Sequence, residues 1–193
     1  MTDLPPTLAA IEATATVLAP HIVTTPVAEW AGGAVAQVLG ASTRVIMKLE
    51  LLQRTGTFKA RGAMSNALAA GEAARQRGFT AVSAGNHAIA TAWTASRLGA
   101  PAKVVMLAGA NPLRVEMARS HGATVVMAKD GSAGFAEAER LQKEEGFTFI
   151  PPFEGHGVAC GTGTLGLEIA RQIPDVEAVV VSIGGGGLAG GMA

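Results

Sequence analysis

Short β-branched, apolar runs alternate along this chain with stretches of helical period, and that alternation confines it to a parallel α/β fold. Candidate strands are 45–49, 80–83, 103–107, 124–127, 148–150 and 178–183. Most are apolar throughout, the pattern of strands that helices cover on both faces. Helices are expected over 7–18, 58–70, 87–98, 133–145 and 164–172. A further one opens at Asn111-Pro112, an N-cap followed by proline at the first helical position, and stops at Gly122. Open parallel sheets bind ligands beyond the C-terminal ends of their strands, where loops meet helix N-termini. Three such junctions stand out.

The first is Gln53-Arg54-Thr55-Gly56-Thr57-Phe58-Lys59-Ala60-Arg61-Gly62-Ala63, which sets Lys59 in the first turn of a helix. Helix N-termini carry partial positive charge, so the local field favours the neutral amine over the ammonium, and burial would act in the same sense. A neutral lysine amine is a nucleophile that forms Schiff bases with carbonyl compounds, pyridoxal phosphate among them. Taken by itself, the segment is read equally well as a surface lysine near a helix start. The second junction, Ser83-Ala84-Gly85-Asn86-His87, feeds a strand into a helix through small and polar residues whose N–H groups suit a carboxylate, such as that of an amino-acid substrate. Asn86 alone reads more simply as an N-cap. The third, Ile183-Gly184-Gly185-Gly186-Gly187-Leu188, lets backbone N–H groups close around a phosphate because no Cβ stands in the way. A flexible joint is its bland alternative, disfavoured directly after an apolar strand.

Composition narrows the partners. Of 193 residues, 49% are hydrophobic and 16% charged, enough apolar content for a substantial core. Fifteen basic and fifteen acidic residues cancel, which removes the electrostatic footprint of a nucleic-acid or anionic-membrane binder and leaves small molecules as the expected partners. The lone Cys160 forms no intrachain disulfide, and Met1-Thr2-Asp3-Leu4-Pro5-Pro6 lacks the basic and apolar blocks of a signal peptide, so a reducing, cytoplasmic setting is expected. The run 178–193 is too rich in glycine for an autonomous membrane span. His21, His87, His121 and His156 are scattered, and no metal site is expected.

Gly161-Thr162-Gly163-Thr164-Leu165-Gly166 matches the dinucleotide pattern G-x-G-x-x-G. The residues from Pro151 to Gly157 before it read as a turn-rich loop instead of a strand, and no ribose-binding acid follows at the usual distance. A nicotinamide dehydrogenase is therefore set aside. Neither G-x-x-x-x-G-K-[ST] nor G-x-S-x-G occurs, which removes the usual support for nucleotide hydrolysis and esterase chemistry.

Four ordered segments together resemble the fold-type II pyridoxal-phosphate enzymes, and within them the threonine/serine dehydratase and serine racemase group. They are the residues from Lys48 to Ala63, Ser83-Ala84-Gly85-Asn86-His87-Ala88, the stretch from Gly161 to Ile169, and Gly184 to Gly187. The resemblance implies a two-domain α/β fold of parallel or mixed sheets with helices on both faces. A large cofactor domain would span 1–76 and 154–193, and a small domain, 77–153, would close on it to exclude water. It implies pyridoxal 5'-phosphate as cofactor, with Lys59 as the aldimine lysine, Phe58 beside the cofactor ring and Asn86 bonding its phenolic oxygen. Gly184, Gly185, Gly186 and Gly187, with the N–H of Leu188, would cradle the phosphate. Ser83, Ala84, Gly85 and His87 would grip the substrate carboxylate. The stretch from Gly161 becomes a turn and helix of the large domain.

The reaction implied is β-elimination: the lysine removes the Cα proton of a hydroxy amino acid such as threonine or serine, the β-hydroxyl leaves, and a 2-oxo acid and ammonia result. A place in isoleucine biosynthesis would follow from threonine. Family racemases commonly carry a serine where this chain has Ala84, and a methyl group neither donates nor accepts a proton, so a dehydratase is preferred over a racemase. Cysteine synthases and their relatives usually read Ser-Val-Lys-Asp around the lysine, unlike Thr57-Phe58-Lys59-Ala60 here. A catalytically inactive protein that keeps the cofactor fold is the alternative of a different class. Family members continue well beyond the glycine loop, whereas the sequence stops at Ala193. The expectation is a truncated chain with an incomplete large domain, possessing no assignable partner for the pyridine nitrogen, and a homo-oligomer when full length.

Overall fold

The computed structural model describes residues 5–40 and 42–193; residues 1–4, part of the segment inspected for a signal peptide, lie outside the described residues. In chain order the elements are α1 (Leu8–Leu18), β1 (Val27–Glu29), α2 (Gly33–Leu39), β2 (Ile46–Lys48), a single 3-10 turn (Glu50–Leu52), α3 (Lys59–Ala69), α4 (Gly71–Arg77) and β3 (Phe79–Val82). There follow α5 (Asn86–Leu98), β4 (Ala102–Leu107), α6 (Pro112–Ser120), β5 (Thr124–Ala128), α7 (Gly131–Glu145), β6 (Thr148–Phe149), α8 (His156–Gln172) and α9 (Gly187–Met192). Side-chain caps start three of the helices. Thr7 accepts from the N–H of Ala10, Asn111 from Leu113 and Asp130 from Ala133. The last of these explains why α7 begins two residues before the expected start.

A parallel sheet in the order β5-β4-β3-β6 organises residues 79–149. Alternate side chains of β4 enter opposite cores. Val104 and Met106 join Phe79, Ile89, Val115 and Ile150 on the face covered by α5 and α6. Val105 joins Val82, Ala138 and Leu141 beneath α7 on the other. Ala63 and Ala67 of α3 extend the first core, and Ala60 and Met64 pack with Leu18 of α1 and Trp93 of α5.

Two expected strands take other forms. The run 45–49 contributes β2, which pairs antiparallel with β1 (Val27↔Lys48, Glu29↔Ile46) and not with the parallel sheet. Three-residue β1 is too short to leave an alternation in the sequence. The run 178–183 is unpaired, and Val180 and Ile183 are exposed. A strand needs a neighbouring backbone to complete its hydrogen bonds, and among the described residues none pairs with it.

The helix expected over 164–172 begins eight residues earlier, so Gly161, Gly163 and Gly166 lie inside α8 and not in a turn. Each glycine admits a neighbour. A Cβ on Gly161 would stand 2.8 Å from the carbonyl oxygen of Arg61 in α3; one on Gly163, 2.7 Å from that of Gly191 in α9; one on Gly166, 3.2 Å from Cα of Met192. Close helix packing, with no strand ahead of it, accounts for the G-x-G-x-x-G pattern.

Candidate active site

The strand order places a switch point between β3 and β6: the chain runs outward from β3 through β4 to β5, then crosses back to lay β6 on the other side of β3. Clefts open beyond the C-terminal ends of strands at such points. Here Ser83 to Gly85 leave β3 and Ile150 to Phe153 leave β6 at the same end. A narrow pocket, partly open to solvent, lies at this place, walled by Phe58, Lys59, Gly62 and Ala63 of the first junction. His87, the Pro151-Pro152-Phe153 segment, Val158 and Thr162 of α8, and Gly187 and Leu188 complete the wall.

Lys59 is the first residue of α3. Its Nζ donates to the carbonyl oxygen of Pro152 and stands 5.2 Å from the centre of the Phe58 ring. Burial lowers the pKa of the amine, the direction that the helix field also favours. No acidic side chain lines the pocket among the described residues. A primary amine biased toward neutrality, an aromatic ring and glycine N–H groups, without a competing carboxylate, fit an anionic aldehyde cofactor.

Asn86 is the first residue of α5, and Gly85 occupies the N-cap position. The simple N-cap reading of Asn86 is therefore corrected; its half-buried side chain makes no hydrogen bond among the described residues. The Ser83 hydroxyl accepts from the N–H of Gly85 at 3.1 Å, and Ala84 is exposed; of the second junction only His87 lines the pocket. The first helical bond of α5 runs from Ile89 to Gly85, so the N–H groups of Asn86, His87 and Ala88 have no intrahelical acceptor. Gly187 and Leu188 reach the pocket; Gly185 lies against Phe153, whose ring is 2.2 Å from where a Cβ would be. Gly186 has φ +84°, a conformation that glycine adopts without strain. Gly184 lies in open space. The Thr162 hydroxyl is 2.7 Å from the carbonyl oxygen of Gly187 and 2.9 Å from that of Val158.

Sequence reasoning missed Pro152, Phe153, Val158 and Thr162. Pro151 to Gly157 read as a turn-rich spacer, although their place directly after the 148–150 run was a signal that they stand at a strand's C-terminal end.

The His87 ring is buried, with Nε2 2.9 Å from the carbonyl oxygen of Ile150. Burial, reinforced by the charge of Lys59, lowers its pKa to about 4. The folded state therefore binds this proton less readily than the unfolded chain. The stabilisation is complete above the unfolded value near 6.5 and is lost as pH falls toward 4, in total about 3 kcal/mol. Urea denaturation across this window is expected to show that slope in the wild type and a flatter profile in His87→Phe. Equal slopes would remove His87 as its source.

Comparison with known proteins bears on this geometry. The family model described as pyridoxal-phosphate dependent enzyme matches residues 18–193. The chain is 52% identical over 150 residues to a phenylserine dehydratase of Ralstonia pickettii, covering 78% of this chain and 46% of that protein. It is 42% identical over 151 residues to an L-threonine ammonia-lyase of Thermotoga maritima, covering 77% and 37%. Among solved structures, maize serine racemase superposes with a TM-score of 0.92 at 29% identity, over 98% of this chain and 57% of that one. The chain thus spans less than half the length of the two curated relatives.

Proposed function

We propose, from the premise that this chain belongs to the pyridoxal-phosphate dependent enzyme family, that it carries the lysine and substrate side of a lyase. The reaction is elimination of the β-hydroxyl from a hydroxy amino acid, giving a 2-oxo acid and ammonia. The observation that carries the reading is the Lys59 amine, lowered in pKa and set at a helix start in a pocket that also holds Gly187 and Leu188. When bound, the cofactor supplies an electron sink for charge developing at the substrate's Cα. The chain supplies the rest. Lys59 Nζ would hold the cofactor, and its neutral amine is the base placed to take the Cα proton. Phe58 flanks the ring, and Asn86, whose amide is uncommitted, bonds the phenolic oxygen. Gly184, Gly185, Gly186 and Gly187, with the N–H of Leu188, hold the phosphate. The Ser83, Ala84, Gly85 and His87 loop holds the carboxylate; since the His87 ring is bonded to Ile150, its contribution is its backbone N–H.

Residues 77–153 act as the small domain and 1–76 with 154–193 as the large one, a division supported by confinement of the parallel sheet to 79–149. A homo-oligomer and a cytoplasmic setting belong to the same proposal. Among the described residues no helix is long and apolar enough to cross a membrane. The racemase reading has the maize enzyme's likeness behind it, and the methyl side chain of Ala84 against it.

The test is incubation of the protein and pyridoxal phosphate with L-serine, L-threonine and phenylserine, following 2-oxo acid release and, by chiral chromatography, the substrate's configuration. Release of oxo acid without inversion supports the lyase. Inversion without release would replace it with the racemase, and neither would leave a cofactor-binding protein. Turnover confined to phenylserine would take the chain out of isoleucine biosynthesis.

A further inference from the structure

The first turn of α3, which carries Lys59, is weakly fixed by its own chain. Phe58 at the N-cap position offers no capping side chain, and the turn is held locally by a 3.0 Å backbone bond from the N–H of Arg61 to the Phe58 carbonyl and a long 3.4 Å bond from the N–H of Lys59 to the Thr57 hydroxyl. Two residues on, Arg61 is completely buried. Its Nε and Nη2 donate to the two carboxylate oxygens of Glu50 at 2.9 and 2.8 Å. Its Nη1 and Nη2 donate to those of Glu168 at 2.7 and 3.0 Å, and Nη1 also reaches the Thr164 hydroxyl at 3.1 Å. Every nitrogen of the guanidinium is engaged. Lys48 balances the second carboxylate, 2.6 Å from Glu168.

One side chain therefore forks two carboxylates on two elements: Glu50 in the 3-10 turn ahead of α3, and Glu168 in α8, the helix that supplies Val158 and Thr162 to the pocket. Buried ion pairs of this kind add little net stability over an apolar replacement. Their benefit is geometric, because a planar guanidinium satisfied from two sides admits one orientation. We propose that Arg61 is a positioning residue for Lys59: its double fork fixes the start of α3 against α8 and so holds the lysine amine inside the pocket beside Pro152. The inference rests on the reading of Lys59 as the reactive amine, but it concerns the amine's location and is testable without the cofactor.

The experiment uses Arg61→Lys, which keeps the charge but cannot fork two carboxylates, and Glu50→Gln, which keeps the shape and removes one carboxylate. Leu141→Ala, in the core beneath α7 and away from the network, serves as a control matched by loss of Tm. The first readout is the pH midpoint for labelling of the Lys59 amine by acetic anhydride, mapped by mass spectrometry. The second is the amount of pyridoxyl label that borohydride fixes on Lys59. With the amine released toward solvent, burial no longer lowers its pKa, so the midpoint in the two network variants is expected to rise and the fixed label to fall about tenfold. Removing the negative charge of Glu50 would by Coulomb attraction alone lower the midpoint, so a rise in Glu50→Gln comes from displacement. Leu141→Ala is expected to keep the wild-type midpoint.

Folded network variants with the wild-type midpoint would overturn the proposal, as would an equal rise in Leu141→Ala. Should Arg61→Lys not fold, Glu50→Gln decides by the same criteria. Absence of pyridoxyl label in the wild type would defeat the cofactor reading while the acetylation midpoints still judged the role of Arg61.

Discussion

Lys59→Ala is expected to abolish covalent retention of pyridoxal phosphate after borohydride reduction while leaving a folded chain. Its Nζ makes one hydrogen bond, to the Pro152 carbonyl at the pocket wall, and the residue takes no part in the buried clusters. Truncation should therefore shift the melting temperature little. No other lysine is placed to substitute. Lys48 is tied to Glu168, Lys103 and Lys143 pair with Glu145 and Glu139, and Lys129 is exposed. None of the four lines the pocket. Mass mapping that found the wild-type amount of label on another lysine of the variant would remove Lys59 from the reactive position.

Gly161→Val is expected to destabilise the chain by roughly 3 kcal/mol or more, through overpacking that its surroundings cannot relieve. The new Cβ would lie 2.8 Å from the Arg61 carbonyl oxygen and 2.9 Å from both Cα of Gly62 and Cβ of Ser65. The first two are backbone atoms of α3 and cannot rotate aside. Separating α3 from α8 would also stretch the Arg61–Glu168 pair. The comparison is Gly190→Ala in α9, where nothing lies within 4 Å and helix propensity favours alanine by up to about 1 kcal/mol. Similar urea midpoints for the two variants would show that the α3–α8 crossing yields more readily than its geometry implies.

What was legible in the sequence follows from how local each signal was. Asn111-Pro112 fixed the start of α6 because an N-cap and its proline act within one turn. The runs in β3 and β4 were legible because burial on both faces leaves them largely apolar, and β5 was legible by the same composition although, at the sheet edge, its Met127 is exposed. Lys59 could be singled out because its placement against the helix field is a property of two adjacent elements. By contrast, the run 178–183 has the composition of a strand, yet strandedness is conferred by a partner, and composition does not name one. The pocket's far wall was invisible for a similar reason. Pro152 meets Lys59 only because β6 returns to the edge of β3, a fact of topology that no window around residue 152 contains. The glycines of α8 show the converse: their spacing matched a dinucleotide pattern that the loop before them already argued against, and the close approach of α3 and α9 explains them.

Those glycines also determine what kind of object α8 is. Gly157, Gly161, Gly163 and Gly166 fall within its 17 residues, and each costs about 1 kcal/mol of intrinsic helicity relative to alanine. A segment with that deficit does not persist as a helix by itself; its helicity is conferred by docking on α1, α3 and α9. Winding and docking are consequently one cooperative transition. The wall that bears Val158 and Thr162 has no undocked helical form in reserve, so the pocket is assembled or lost together with the helix contacts behind it.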